Sequence, residues 1–147
     1  MNKAFVREPE GGDARCPQCG SVGIPVGERT LRSFVRTEDH NDIAETGYYC
    51  EIASCPVAYF DDFERAIRVE RLVRPVWPKD SAAPICGCFG FMAGDVERDV
   101  AERSVARVRA AVERSKSAEA RCVELCPTGR SCAAAIQKYY FKLAGGA

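Results

Sequence analysis

The chain has 147 residues, with 21 basic against 21 acidic side chains and a formal net charge of zero. That length holds one domain or two small ones, and the balanced charge gives no electrostatic footprint for nucleic acid. No apolar run approaches the ~20 residues that cross a bilayer. The start of the chain, Met1 to Arg7 followed by Glu8-Pro9-Glu10-Gly11-Gly12, lacks the apolar core of a secretory signal and places the protein, as an expectation, in the cytoplasm. The composition departs from the ordinary in one respect, its nine cysteines. An odd number of thiols in a reducing compartment points to metal ligands or redox groups more than to a disulfide framework.

Residues 1–14 are polar and glycine-containing, as expected of a flexible terminus. Cys16-Pro17-Gln18-Cys19-Gly20 follows, a turn that brings two sulfurs to one point. Its proline pre-sets part of the turn, and its glycine allows the left-handed backbone such turns use. The alternation in Thr30-Leu31-Arg32-Ser33-Phe34-Val35 predicts a strand, and the polar run Arg36–Glu45 predicts a loop with a solvated His40, the only histidine. Aromatic and β-branched residues in Tyr48-Tyr49-Cys50 and Cys55-Pro56-Val57-Ala58-Tyr59-Phe60 predict strands into and out of a second turn. Cys16, Cys19, Cys50 and Cys55 thus form a C-x2-C and a C-x4-C pair separated by 30 residues. That is the donor set of a tetrahedral four-thiolate zinc site, which is structural because it leaves no coordination position open. A segment this small leans on its metal: apparent zinc binding of ~10–16 kcal/mol in finger-like peptides is folding energy.

Ile67–Val73 alternates and predicts a closing strand. Arg74–Pro84 then carries three prolines, which exclude a helix or central strand and mark a boundary between a zinc-binding β domain, 15–78, and a helical domain, 79–147. The second part opens on Cys86-Gly87-Cys88. Asp95 is positioned as the N-cap of a helix running to Lys116, with an apolar stripe of Val96, Val100, Val105, Val108 and Val112 and an Asp99–Arg103 pair. Cys122, Cys126 and Cys132 follow, and a further helix is predicted from Ser131 to Leu143, with Ala135, Ile136, Tyr139 and Tyr140 on its buried side. Cysteine loops at helix N-termini suit an anionic group. A second four-thiolate zinc fits, and so does a thiolate-ligated iron–sulfur cluster. Spacing leaves Cys126 and Cys132 equal candidates as ligands.

Cys86-Gly87-Cys88, a helix, and Gly129-Arg130-Ser131-Cys132 opening another helix resemble the bacterioferritin-associated ferredoxin type of [2Fe–2S] domain. The chain departs from that pattern at Ala135, where a second C-x2-C cysteine would stand. A fuller resemblance is to the N-terminal domain of the archaeal CopZ-type copper chaperones, which joins a zinc-binding part to a [2Fe–2S] part. Cys16 to Cys19, Tyr48 to Cys50, Cys55 to Phe60, Cys86 to Cys88 and Cys122 to Cys132 carry it, over roughly residues 15–143. The resemblance implies Zn2+ on Cys16, Cys19, Cys50 and Cys55, and a [2Fe–2S] cluster on Cys86, Cys88, Cys122 and Cys132. Cys126 is left over as a thiol for a soft metal ion. The implied fold is α+β, a small ribbon-like zinc part followed by a small helical cluster part.

The same resemblance implies a metallochaperone-like redox protein in copper or other soft-metal handling, its cluster passing single electrons, for example to reduce Cu(II) to Cu(I). Its expected partners are redox or metal-acceptor proteins, such as a copper chaperone domain or a metal-transport ATPase. The copper domain with a C-x-x-C loop that the fused family members carry does not follow Cys132 here. A ferredoxin-like electron carrier without metal transfer is the alternative, and a zinc interaction module with a second zinc a third. No catalytic set emerges: there is no second histidine and no glycine-rich phosphate loop.

Overall fold

A computed structural model describes residues 14–146; the expected flexible terminus, apart from Ala14, lies outside them. The architecture is α+β. Strands β1 (Ile24–Val26), β2 (Gly47–Tyr49), β3 (Val57–Phe60) and β4 (Ala66–Arg68) form an antiparallel sheet in the order β1-β2-β3-β4. Helix α1 (Glu28–Phe34) sits between β1 and β2. Helices α2 (Ala93–Ala101), α3 (Ala106–Ser115), α4 (Cys122–Leu125) and α5 (Ala133–Gly146) make up the second part.

The strand expected over Thr30–Val35 is instead α1, followed by an extended Val35. Leu31, Phe34 and Val35 are all buried, and their i, i+3, i+4 spacing is helical, not alternating. An Arg32–Glu28 ion pair at 2.9 Å supports the outer face. Leu31 and Phe34 close over Tyr49, Tyr59 and Ile67 from the sheet to make the first core. Part of the Arg36–Glu45 loop is wound into a 3-10 turn, Thr37–Asp42. The expected closing strand is shorter, ending at Arg68; a 3-10 turn, Val69–Arg71, then hands the chain to Leu72, which bridges Val35.

The single helix expected from Asp95 to Lys116 is two, α2 and α3, broken at Glu102–Val105. Asp95 is not the N-cap: it lies in the first turn of α2, where its carboxylate accepts the Met92 N–H at 3.0 Å. The expected Asp99–Arg103 pair does not form. Asp99 is fully buried and accepts from the Val108 N–H at 2.8 Å and from Arg107 at 2.9 Å. From inside α2 it thereby satisfies a free amide in the first turn of α3, which only a break between the two helices allows. Ser104 Oγ accepts the Ala106 N–H, and Arg103 takes a positive φ of 56° to make the bend. Val96, Val108 and Val112 are buried as expected, but Val105, at the bend, is exposed. They pack with Ile85, Ile136 and three of the cysteines in a second core, flanked by Ala135, Tyr139 and Tyr140 from α5.

The two parts are in direct contact. Tyr59 Oη donates to the Pro127 carbonyl at 2.6 Å, and Arg29 pairs with Glu124 at 2.9 Å.

Candidate metal centres

The first centre is built by the turn after Ala14 and by the connection from β2 to β3. The Arg15–Val22 bridge, the Cys16 N–H on Ser21 O at 2.8 Å, and the Gly20 N–H on Cys16 O at 2.8 Å close the Cys16–Cys19 turn. Gly20 has φ +79°, the left-handed value its position called for. Opposite, the Cys50 N–H reaches Ala58 O at 2.8 Å across the strands, and the Cys55 N–H reaches Ile52 O at 3.1 Å. All four sulfurs lie within 4.8 Å of one another. Cys16 and Cys55 are 3.8 Å apart and Cys19 and Cys50 3.6 Å. Zn–S bonds of ~2.3 Å at tetrahedral angles put sulfurs about 3.8 Å apart, so the residues fit the ion.

Cys16, Cys50 and Cys55 are buried, whereas Cys19 is exposed. Burial pushes the Cys50 thiol up to about 12 and raises that of Cys55. Hydrogen bonds from the Ser21 side chain and backbone lower Cys19 to about 6. Buried thiols held up in this way need a cation before they deprotonate, and a divalent metal supplies one. His40 is not in the group. Its Nε2 lies 2.9 Å from the Val35 carbonyl.

The second centre lies between two loops. Cys86 and Phe91 form a bridge whose turn passes through Gly90, φ +69°. Gly87 lies so near the other loop that a Cβ there would sit 2.1 Å from the Leu125 carbonyl oxygen. That loop carries Cys122 at the start of α4, Cys126 just after it, and Cys132 before α5. The helix α4 was not expected from the sequence. The sulfurs of Cys88, Cys122 and Cys126 lie within 4.8 Å of one another. Cys86 is fully buried, and Cys88 and Cys122 are half-buried. Cys126 is disulfide-bonded to Cys132, their Cα atoms 6.7 Å apart. The two cysteines that spacing left interchangeable are therefore joined.

The donor set of this group is sulfur alone among the described residues. The Arg121 N–H donates to Cys88 Sγ at 3.2 Å. Burial raises the Cys86 thiol against N–H donation from Phe89 and Cys88. Burial and the nearby Cys88 and Cys86 sulfurs push Cys122 up to about 11. Thiolates served by backbone N–H donors suit a soft cation or an iron–sulfur cluster. Of the four ligands the resemblance implies, Cys86, Cys88 and Cys122 are free thiols and Cys132 is bonded to Cys126, so the set fits such a group once that bond is reduced.

Two contributors escaped the sequence. Lys79 donates to Ile52 O at 2.8 Å and Cys55 O at 3.0 Å, pinning the second zinc turn from the proline-rich stretch; it has no local signal, being 24 residues from Cys55. Ser21, which tunes Cys19, stands two residues after it, a purely local signal.

Comparison with known proteins agrees with this geometry. Residues 13–73 match the CopZ family model described as a zinc binding domain. That span contains the whole first quartet. The crystal structure of the N-terminal domain of CopZ from Archaeoglobus fulgidus is similar at a TM-score of 0.69 and 24% identity, covering 85% of this chain and 96% of that one. At that identity the likeness is one of fold. No curated protein matches. The matched zinc-binding region and the close-set sulfurs thus coincide at the first quartet. No helix among the described residues is long and apolar enough to cross a membrane.

Proposed function

We propose that this protein is a metal-handling redox protein of the cytoplasm, with a structural zinc domain, residues 15–78, supporting a cluster domain, residues 79–147. In this reading Cys16, Cys19, Cys50 and Cys55 hold zinc, and Cys86, Cys88, Cys122 and Cys132 hold a [2Fe–2S] cluster. The observation that carries it is the gathering of five sulfurs on two facing loops, apart from the zinc quartet. Three of the five are fully or nearly buried and two half-exposed, an arrangement in which a bound group is shielded yet reachable by a partner. Backbone N–H groups reach the Cys86 and Cys88 sulfurs, donors of the kind such a group uses.

When bound, a [2Fe–2S] cluster supplies electrons one at a time. Reduction of Cu(II) to Cu(I) takes one, and a donor protein must return it. Cys132 ligates only as a thiolate, so the Cys126–Cys132 bond is first opened by two electrons and two protons from a dithiol reductant. Cys126 then stands free beside Cys88 and Cys122, placed to take a soft cation such as Cu(I). The proposed partners are a one-electron donor and a metal acceptor, either a copper chaperone domain or a metal-transport ATPase.

Anaerobic purification with metal analysis and EPR tests this. A coloured protein containing zinc, iron and acid-labile sulfide, with a reduced-state signal, is expected. A colourless protein with two zincs contradicts it. Cu(I) titration that is the same for wild type and Cys126→Ala removes the soft-metal role and leaves an electron carrier.

A further inference from the structure

The loop bearing Cys122, Cys126 and Cys132 does not hold itself. Helix α4 is a single turn of four residues, and a helix end leaves carbonyls without internal partners. Inside the loop, Arg121 O and Cys122 O accept from Leu125 and Cys126, and Cys126 O accepts from Gly129. Three further carbonyls are served from the zinc part. Thr30 Oγ1 donates to Val123 O at 2.7 Å, Arg74 to Glu124 O at 2.9 Å, and Tyr59 Oη to Pro127 O at 2.6 Å. Each donor is itself fixed. Thr30 and Tyr59 are buried, and the Arg74 guanidinium lies 4.4 Å from the Phe34 ring centre. Gly129, φ +72°, rests directly on Thr30, whose Oγ1 would be 2.4 Å from a Cβ there.

Those donors are joined to the zinc quartet through the sheet. β2 runs directly into Cys50, and β3 begins two residues after Cys55. Tyr59 is paired with Tyr49 in the β2–β3 register. A metal that clamps Cys50 to Cys55 therefore fixes the two strands that aim Tyr59, and the core those strands form with α1 aims Thr30.

We propose that zinc in the first quartet positions the second centre, with Tyr59, Thr30 and Arg74 as positioning residues that hold the cysteine loop by its carbonyls. This rests on the second group being a metal site, but the link between zinc and the loop stands on hydrogen bonds alone, so the two can be tested apart. By linkage, occupation of the second site tightens zinc in return.

The test is hydrogen exchange on the full-length, zinc-loaded protein, paired with reconstitution by Fe2+ and sulfide. Tyr59→Phe and Thr30→Val each remove one donor and almost no volume. Each is expected to speed exchange of the Cys126 and Gly129 amides about tenfold, with zinc content unchanged and Thr30→Ser restoring protection. Stripping zinc with a chelator is expected to release the same amides while α2, α3 and α5 stay protected by their own core. Chelation that frees residues 15–73 and leaves the loop protected overturns the proposal, as does uniform loss across all helices. Tyr59→Phe is also expected to lower the visible absorption gained on reconstitution. Should wild type take up no iron, the metal reading of the second group fails while the exchange result still decides the positioning role.

Discussion

Replacing Cys19 by serine isolates the metal contribution to the first centre. Cys19 is the exposed member of its quartet, so the change opens no cavity and buries no hydroxyl. It removes one zinc–sulfur bond at a sulfur 3.6 Å from Cys50. If structural zinc contributes ~10–16 kcal/mol, a quarter of that is about 2.5–4 kcal/mol, or roughly a 70- to 900-fold loss of zinc affinity. Domain stabilities are only ~5–15 kcal/mol in total, so urea unfolding should shift by a comparable amount. Competition against a chromophoric chelator reads the first quantity, and far-UV circular dichroism in urea reads the second. Cys50→Ser should cost more, because a hydroxyl left buried without a partner adds ~1–3 kcal/mol. A Cys19→Ser protein that binds zinc as wild type does, or that loses zinc at an unchanged urea midpoint, would refute the view that this metal is folding energy.

Three further outcomes follow from the geometry. Gly87→Ala drives a methyl against the Leu125 carbonyl and should force the two cysteine loops apart; iron uptake on reconstitution falls while zinc content holds. Asp99→Asn weakens the Arg107 interaction and the Val108 amide bond of a fully buried group, and thermal unfolding should reveal a loss of about 1.5–3 kcal/mol. Burial alone would raise the Asp61 carboxyl, but N–H donation from Ala44, Arg65 and Phe63 and the Arg65 charge outweigh it and hold it below the ordinary range. A folded pKa lowered in this way stabilises the protein above the unfolded value of ~3.9 and ceases to do so as pH falls through the folded value. Asp61→Asn should therefore flatten the stability–pH curve below about pH 4, as measured by urea unfolding at each pH.

The two cysteine groups were legible in the chain because metal ligation imposes short spacings and turn residues that little else requires. The strands beside Cys50 and Cys55 were legible for a related reason, since their aromatic and β-branched residues suit a half-buried sheet. Helix α1 reads locally as a strand because polar–apolar alternation over six residues masks the i, i+3, i+4 set Leu31, Phe34 and Val35. The break between α2 and α3 did leave a trace. Val100 to Val105 is a step of five, which turns the stripe off its face, and Ser104 is a capping residue. Burial of Asp99 was hidden, because a carboxylate on a charged helix reads as solvated until the helix bends over it. The support of the Cys126–Cys132 loop by Thr30, Tyr59 and Arg74 depends on contacts between residues as many as 93 apart, where local pattern carries no information.

Metal and EPR analysis of anaerobically prepared Cys88→Ser beside wild type bears most directly on the division of labour between the two sulfur groups. One zinc per chain in both proteins, with iron and a reduced-state signal in wild type alone, is the predicted result. Zinc lost from Cys88→Ser, or wild type free of iron and filled with a second zinc, would contradict it.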